Sequence, residues 1–227
     1  MSAQEETHVF EERIECQYLL RIPETLAVEP VAAVTLHGYG SGPEAMLRFT
    51  SELVGPDWIV AGLQAPNQHY AGGPGEGKGV YNWGVRDHWE SSVSLHHRMV
   101  RHVLASLRER FAIPAARCLL AGFSQPVGLN YRFVATFPKE VGAVLAICGG
   151  VPRDWDDAKY MPVGAPILHI SRDEDEFYPL AQVEDFPRRL RLRASDVEFH
   201  LLPGKHRFPS KADVVVRPWL RRVFGVG

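Results

Sequence analysis

Short apolar runs alternate with longer amphipathic stretches along the chain. The runs rich in Val, Ile, Leu and Ala occupy residues 31–36, 58–63, 118–123, 142–147, 166–170 and 197–202. Continuous apolar runs of this length are typical of strands that are covered on both faces. The segment ECQYLLRIP at residues 15–23 is also strand-like, and we expect it at a sheet edge.

The amphipathic stretches predict helices near residues 43–53, 89–111, 125–136, 179–193 and 209–223. In the clearest case, apolar residues recur at helical spacing from Val93 to Leu107, and Pro114 ends the pattern. Alternation of strands and helices predicts one α/β domain, residues 1–227, with a central, mostly parallel sheet flanked by helices. Ligands bind such sheets beyond the carboxyl ends of their strands. The residues that directly follow each apolar run are therefore the candidates for a site.

Composition narrows the function classes. Hydrophobic residues make up 45% of the chain and charged residues 23%, with a formal net charge of -2. No basic face is concentrated enough to predict nucleic-acid binding, and the arginines of RRLRLR at residues 188–193 would spread over a solvated helix face. No apolar run approaches the roughly 18 residues of a membrane span, so we expect no stable membrane insertion.

The cysteines and the first residues bear on the compartment. The chain has 3 cysteines and no C-x-x-C pair, which is typical of free thiols in a reducing environment. Its start, MSAQEETHVFEER, is polar and acidic, unlike a signal peptide. These features predict a cytoplasmic protein.

Three strand ends carry a serine, an acid and a histidine. Ser124 follows the run at 118–123, His206 follows the run at 197–202, and the loop after 166–170 holds both Asp173 and Asp175. A serine needs a base to take its proton, and a carboxylate must orient that base. The chain order Ser…Asp…His is the one found in α/β-hydrolases. Each residue alone would be unremarkable, and their joint occurrence at strand ends is the specific signal.

Four motifs carry a resemblance to a known family. LHGYGSG, AGFSQ, DEFYP and GKHRFP occur in this order between residue 31 and the C-terminus. With them the chain resembles α/β-hydrolases of the phospholipase/carboxylesterase group, which are related to acyl-protein thioesterases. The resemblance implies a compact α/β-hydrolase fold without a large lid domain. It also implies hydrolysis of a small-molecule carboxylic ester or thioester through an acyl-serine, without cofactor or metal. A homodimer is compatible with it.

The resemblance also implies roles for particular residues. Ser124 matches the family's nucleophile and His206 matches its base. The backbone N–H groups of Tyr39 and Gln125 match the donors of the oxyanion hole, where each donor is worth about 3 kcal/mol of barrier.

The motifs give two counts for the triad acid. Asp175 matches it because Pro179 follows four residues later, as in the family pattern. Counting forward from His169 points instead to Asp173, because this loop is about two residues longer than usual. We prefer Asp175 and keep Asp173 as the alternative.

The turn around the serine departs from the usual G-x-S-x-G frame. It reads Gly122-Phe123-Ser124-Gln125-Pro126, with proline at the second glycine position. Proline in the first turn of a helix loses an N–H group that has no intrahelical partner anyway. The expected oxyanion donor is the N–H of Gln125, so we expect the turn to remain competent.

Other signals are weaker. The segment GGPGEGKG at residues 72–79 resembles a phosphate loop but ends in Gly79 where Ser or Thr would hold magnesium, and we expect a surface loop. Tyr81 and Trp83 follow it and are candidates for lining an acyl pocket, with simple core packing as the alternative. The histidines at 96, 97 and 102 lack the i, i+4 spacing of helical metal ligands.

Two other functions fit the same residues. A non-catalytic binding protein could keep the hydrolase fold, since fold alone does not fix function. An acyl transferase could use the same triad with an acceptor other than water. Labelling by a fluorophosphonate, which requires an activated serine, separates the first of these from a hydrolase.

Overall fold

A seven-stranded sheet forms the centre of the computed structural model, which describes residues 4–226. The nine strands in chain order are β1 Tyr18–Arg21, β2 Ala32–Leu36, β3 Ile59–Leu63, β4 Asn67–Tyr70, β5 Gly79–Asn82, β6 Cys118–Phe123, β7 Ala143–Ile147, β8 Ile167–Arg172 and β9 Val197–Leu202. The sheet order is β1-β3-β2-β6-β7-β8-β9, and β4 pairs with β5 separately. Only β1, at one edge, runs antiparallel to its neighbour in the large sheet. The prediction of a mostly parallel α/β sheet is confirmed.

Within residues 4–226, six α-helices connect or cover the strands. They are α1 Pro43–Val54, α2 Trp89–Phe111, α3 Val127–Thr136, α4 Leu180–Val183, α5 Phe186–Leu190 and α6 Asp213–Phe224. The single helix predicted at 179–193 is wrong, because the segment forms two short helices, α4 and α5. Pro187 sits in the first turn of α5 and has no N–H group to continue the hydrogen bonds of α4. None of these helices is both long and apolar enough to cross a membrane.

Alternate residues of each strand pack into two cores on opposite faces of the sheet. In β2, Val34 belongs to the core that also contains Val103 of α2 and Phe133 of α3. Its neighbour Ala33 belongs to the other core, which contains Trp219 of α6. Every residue of β2, β3 and β7 is buried. Burial on both faces explains why these strands read as continuous apolar runs.

The β4–β5 hairpin was not predicted from the sequence. Its strands pair antiparallel from Asn67 opposite Asn82 to Tyr70 opposite Gly79. The glycine-rich segment at 72–79 connects the two strands, and the chain leaves it as β5. No helix begins there, so the segment lacks the strand–loop–helix context of a phosphate loop.

Two buried histidines, His96 and His169, and the partly buried His97 lie in positions that disfavour their charged form. Burial lowers the pKa of His96 to about 3, that of His97 to about 4 and that of His169 to about 3. Each value lies below the ordinary 6.5, so the unfolded chain binds protons more readily than the folded chain below that pH. The folded state therefore loses stability as the pH falls from about 6.5 toward 4.

We expect the urea midpoint of unfolding to drop between pH 7 and pH 5. His96→Asn should flatten this dependence, because one of the histidines with a lowered pKa is removed. His102→Asn is the matched control, since His102 is exposed on the same helix. Urea titrations followed by circular dichroism at both pH values measure the slopes. Equal slopes for wild type and His96→Asn would contradict a buried neutral His96.

Candidate active site

Ser124, Asp175 and His206 come together at the carboxyl ends of β6, β8 and β9. The His206 Nε2 atom lies 2.8 Å from Ser124 Oγ. The His206 Nδ1 atom lies 2.7 Å from Asp175 Oδ2. In this arrangement Nδ1–H donates to the carboxylate, so Nε2 carries the lone pair that accepts the serine proton. One imidazole thus connects the hydroxyl to the buried acid.

A left-handed backbone conformation presents the Ser124 hydroxyl. Ser124 has φ +64°, which is uncommon for a residue with a side chain and costs of order 1–3 kcal/mol. Its N–H donates to Ile147 O at 2.8 Å, and its carbonyl accepts from Val127 N at 3.1 Å. These two bonds fix the turn between β6 and α3. The conformation is that of a nucleophile elbow.

The proline of the elbow fits without removing a needed donor. Pro126 lies directly before α3 with φ -74° and ψ -10°, and its carbonyl accepts from Asn130 N at 2.8 Å. A Cβ atom at Gly122 would lie 2.7 Å from Asn130 Nδ2 and 3.5 Å from Pro126 Cγ. A side chain at position 122 would therefore have to displace the Asn130 amide, whereas the helical dihedrals at position 126 suit proline.

The acid that faces the histidine is Asp175. Its side chain is 1% exposed, and its Oδ1 atom accepts from the N–H groups of Phe177 at 2.9 Å and Tyr178 at 3.0 Å. These bonds leave Oδ2 for His206. Asp173 instead accepts from Gly204 N at 2.7 Å. Of the two acids left open by the sequence, geometry favours Asp175.

Glu176 is a further residue of this cluster that the sequence reasoning missed. Its Oε2 atom accepts from the backbone N–H of His206 at 3.0 Å, and this bond lowers the pKa of Glu176. Glu176 and Asp173 thus connect the loop of residues 204–206 to the loop that carries Asp175. The run of acids DEDE at 173–176 was the available signal, but spacing alone does not reveal that Asp173, Asp175 and Glu176 bond different groups.

The two expected oxyanion donors lie beside the serine. Gly38, Tyr39, Ser124 and Gln125 line the same cavity. Within residues 4–226, neither Tyr39 N–H nor Gln125 N–H donates to a backbone carbonyl. A Cβ atom at Gly38 would lie 3.3 Å from Ser124 Cβ, so glycine permits the close approach of this loop to the elbow.

The cavity in front of Ser124 has a volume of about 910 Å³. Apolar lining comes from α1 and from the residues around the elbow and the histidine: Ala45, Met46, Phe49, Phe123 and Phe208. The rings of Phe49 and Phe208 stack with centroids 4.7 Å apart. Trp89, Phe177 and Tyr178 add aromatic surface, and Ser41 and Arg207 are polar residues of the same lining. Such a cavity can take an uncharged, apolar chain next to the serine.

Tyr81 and Trp83 do not line this cavity. Trp83 is 1% exposed, and its indole N–H donates to His37 O at 2.7 Å. The backbone of Tyr81 pairs with Gly40 and Ser41. Both residues therefore lie behind the loop that carries Tyr39. Within residues 4–226, His, Cys, Asp and Glu side chains form no cluster of three that could hold a metal ion.

Comparisons with known proteins support the fold. No protein-family model matches the chain, and no curated protein matches it in sequence. Solved structures are similar. Esterase PE8 has a TM-score of 0.74 and 21% identity, covering 93% of this chain and 100% of its own. The Bacillus cereus carboxylesterase has a TM-score of 0.72 and 14% identity, covering 92% of this chain and 95% of its own.

A third similar structure is Arabidopsis thaliana SOBER1, with a TM-score of 0.70 and 19% identity over 85% of this chain and 98% of that one. A phospholipase/carboxylesterase from Dyadobacter fermentans is also similar, with a TM-score of 0.65 and 18% identity over 90% of this chain and 95% of its own. The resemblance indicated by the sequence motifs is confirmed at the level of the fold. The chain has the α/β-hydrolase fold, in the form that carboxylesterase and phospholipase/carboxylesterase structures share.

Proposed function

We propose that the protein is a serine hydrolase that cleaves carboxylic esters or thioesters through an acyl-serine intermediate. The observation that carries this proposal is the hydrogen-bonded series Ser124–His206–Asp175, which opens onto a largely apolar cavity. The named activities of the similar structures, esterase and carboxylesterase, agree with it.

The geometry supports the following reaction. Ser124 Oγ attacks the acyl carbonyl carbon while His206 Nε2 takes the hydroxyl proton. The carbonyl oxygen becomes an oxyanion, which the N–H groups of Tyr39 and Gln125 stabilise. His206 then gives its proton to the leaving alcohol or thiol as the carbon–heteroatom bond breaks. Water, activated by the same imidazole, releases the acid and restores Ser124. Asp175 holds the imidazole tautomer and stabilises its protonated form throughout.

The cavity favours a substrate with an uncharged acyl group. The side chains of Met46, Phe49 and Phe208 offer apolar contact to an acyl chain, and burial of each methylene is worth about 0.8 kcal/mol. We propose a small-molecule acyl ester or thioester on this basis. We also propose a cytoplasmic location, which the free thiols of Cys16, Cys118 and Cys148 favour. A homodimer stays a prediction.

Ser124→Ala should abolish ester hydrolysis and leave the fold intact. The expected loss is about a millionfold in kcat, since the members of a triad act as a unit. Both residues have a Cβ atom, so the left-handed backbone at position 124 is equally strained in each. Hydrolysis of p-nitrophenyl esters of increasing chain length, alongside a thioester, measures the loss. Retention of most wild-type turnover would place the nucleophile elsewhere.

Asp175→Asn should reduce kcat far more than Asp173→Asn. Asparagine at 175 can donate to His206 Nδ1 and so favour the wrong tautomer, which costs about 10⁴-fold in a related triad. Within the described residues, the Asp173 side chain accepts one hydrogen bond, from the backbone N–H of Gly204. Its substitution should therefore reduce kcat only modestly. The two variants are compared by steady-state kinetics on one ester. A larger effect at position 173 would overturn the assignment of the acid.

Pro126→Gly should leave kcat within about tenfold and lower the free energy of unfolding by about 0.5–1 kcal/mol. Proline limits the conformational entropy of the unfolded chain, and glycine raises that entropy, which favours unfolding. The N–H of Gln125 is unchanged by the substitution. Ester hydrolysis and the urea midpoint are measured on both proteins. A gain of several hundredfold in kcat would mean that proline suppresses the elbow and would favour a binding function for the native protein.

A further inference from the structure

The two proposed oxyanion donors sit on separate segments that the main sheet does not hold together. Strands β2 and β6 are neighbours, and their last paired residues are Leu36 and Gly122. Tyr39 and Gln125 each lie three residues beyond these partners, where both segments have left the sheet. An oxyanion needs both N–H groups within hydrogen-bond distance of one oxygen atom. Another element must therefore fix their separation.

Strand β5 of the hairpin holds the first segment. Gly40 N donates to Tyr81 O at 3.0 Å, and Tyr81 N donates to Ser41 O at 2.9 Å. This pair of bonds is an isolated antiparallel bridge between the loop and β5. Gly40 and Ser41, the two residues that follow Tyr39, thus hold this loop against the hairpin.

The side chain of Gln125 attaches the second segment to the two residues that directly follow β5. Its Oε1 atom accepts from Trp83 N at 2.9 Å, and its Nε2 atom donates to Gly84 O at 2.8 Å. The acceptor and the donor of the amide are both used by main-chain groups, so only one orientation of the amide satisfies both bonds. Residues 81, 83 and 84 thereby connect the two donor segments.

The residues that receive Gln125 are themselves well fixed. The Trp83 indole N–H donates to His37 O at 2.7 Å, which ties the strand exit back to the first donor segment. Gly84 N donates to Asn82 Oδ1 at 3.1 Å. Gly84 has φ +142°, and a Cβ atom there would lie 2.5 Å from Ser92 Oγ, so this position requires glycine. The amide of Gln125 therefore bonds to a segment that has hydrogen bonds of its own.

We propose that the Gln125 side chain is a positioning residue that, through Trp83 and Gly84, sets the spacing of the Tyr39 and Gln125 N–H donors. This role rests on the proposed hydrolase function, and it is separate from the donation by the Gln125 backbone. It acts on the transition state, where the oxyanion forms, and has little effect on binding of the uncharged substrate.

Gln125→Met tests this role, because methionine has a similar length and no hydrogen-bonding amide. Loss of the two amide hydrogen bonds leaves the Trp83 N–H and the Gly84 carbonyl without these partners and lets the turn around Ser124 shift. A displacement of about 1 Å in a catalytic group can cost about 100-fold in rate. We expect kcat on a p-nitrophenyl ester to fall roughly 10- to 100-fold, with KM within about threefold.

A trifluoromethyl ketone inhibitor gives a second readout. Ser124 Oγ adds to its carbonyl carbon, the serine proton passes to His206, and the ketone oxygen becomes an oxyanion in the proposed hole. Its inhibition constant should rise by the same factor as kcat/KM falls. Gln64→Met is the matched control, because Gln64 is a nearly buried amide that bonds Gln17, away from the cavity. It should change neither constant beyond about twofold.

The outcomes separate the two proposals. Parallel losses in kcat and inhibitor affinity at Gln125→Met, with an unchanged control and a melting temperature close to wild type, support the positioning role. Unchanged kcat at Gln125→Met, in an enzyme that Ser124→Ala inactivates, overturns the role and leaves the hydrolase function intact. Ester turnover that survives Ser124→Ala overturns both proposals. A rise in KM with unchanged kcat also overturns the role, because it would indicate ground-state binding.

Discussion

The proposed chemistry depends on one hydrogen bond, between His206 Nε2 and Ser124 Oγ, which joins residues 82 positions apart in the chain. A serine hydroxyl is a weak nucleophile without a base in contact with it. The bond forms only if three strand ends meet with their loops in register. The hydrogen bonds of the surrounding loops hold Ser124 and His206 in this contact.

The loops around the histidine and the serine are held by separate sets of bonds. Asp173 and Glu176 accept from the backbone of the 204–206 loop, while Asp175 accepts from the imidazole itself. On the serine side, the strained conformation of Ser124 is compensated by backbone bonds to β7 and α3. Strain of this kind persists where neighbouring structure determines the backbone, and it is common at functional sites.

The sequence predicted the sheet and the strand-end residues well, because buried parallel strands give continuous apolar runs. Ser124 and His206 follow two such runs directly. The choice between Asp173 and Asp175 needed three-dimensional geometry, since spacing does not determine which side chain a loop turns inward. The β4–β5 hairpin escaped prediction because its first strand, Asn67–Tyr70, is polar and mostly exposed and has no apolar alternation. Its hydrogen bonds to the loop that carries Tyr39 were missed with it.

Labelling with a fluorophosphonate, followed by mass spectrometry of the labelled peptide, tests the central claim most directly. The reagent reacts with a serine only when a base and an oxyanion site activate it. We expect one phosphonyl group per chain, attached to Ser124, and parallel loss of ester hydrolysis as labelling proceeds. Absence of label, or label on another residue with activity lost in step, would contradict an activated Ser124.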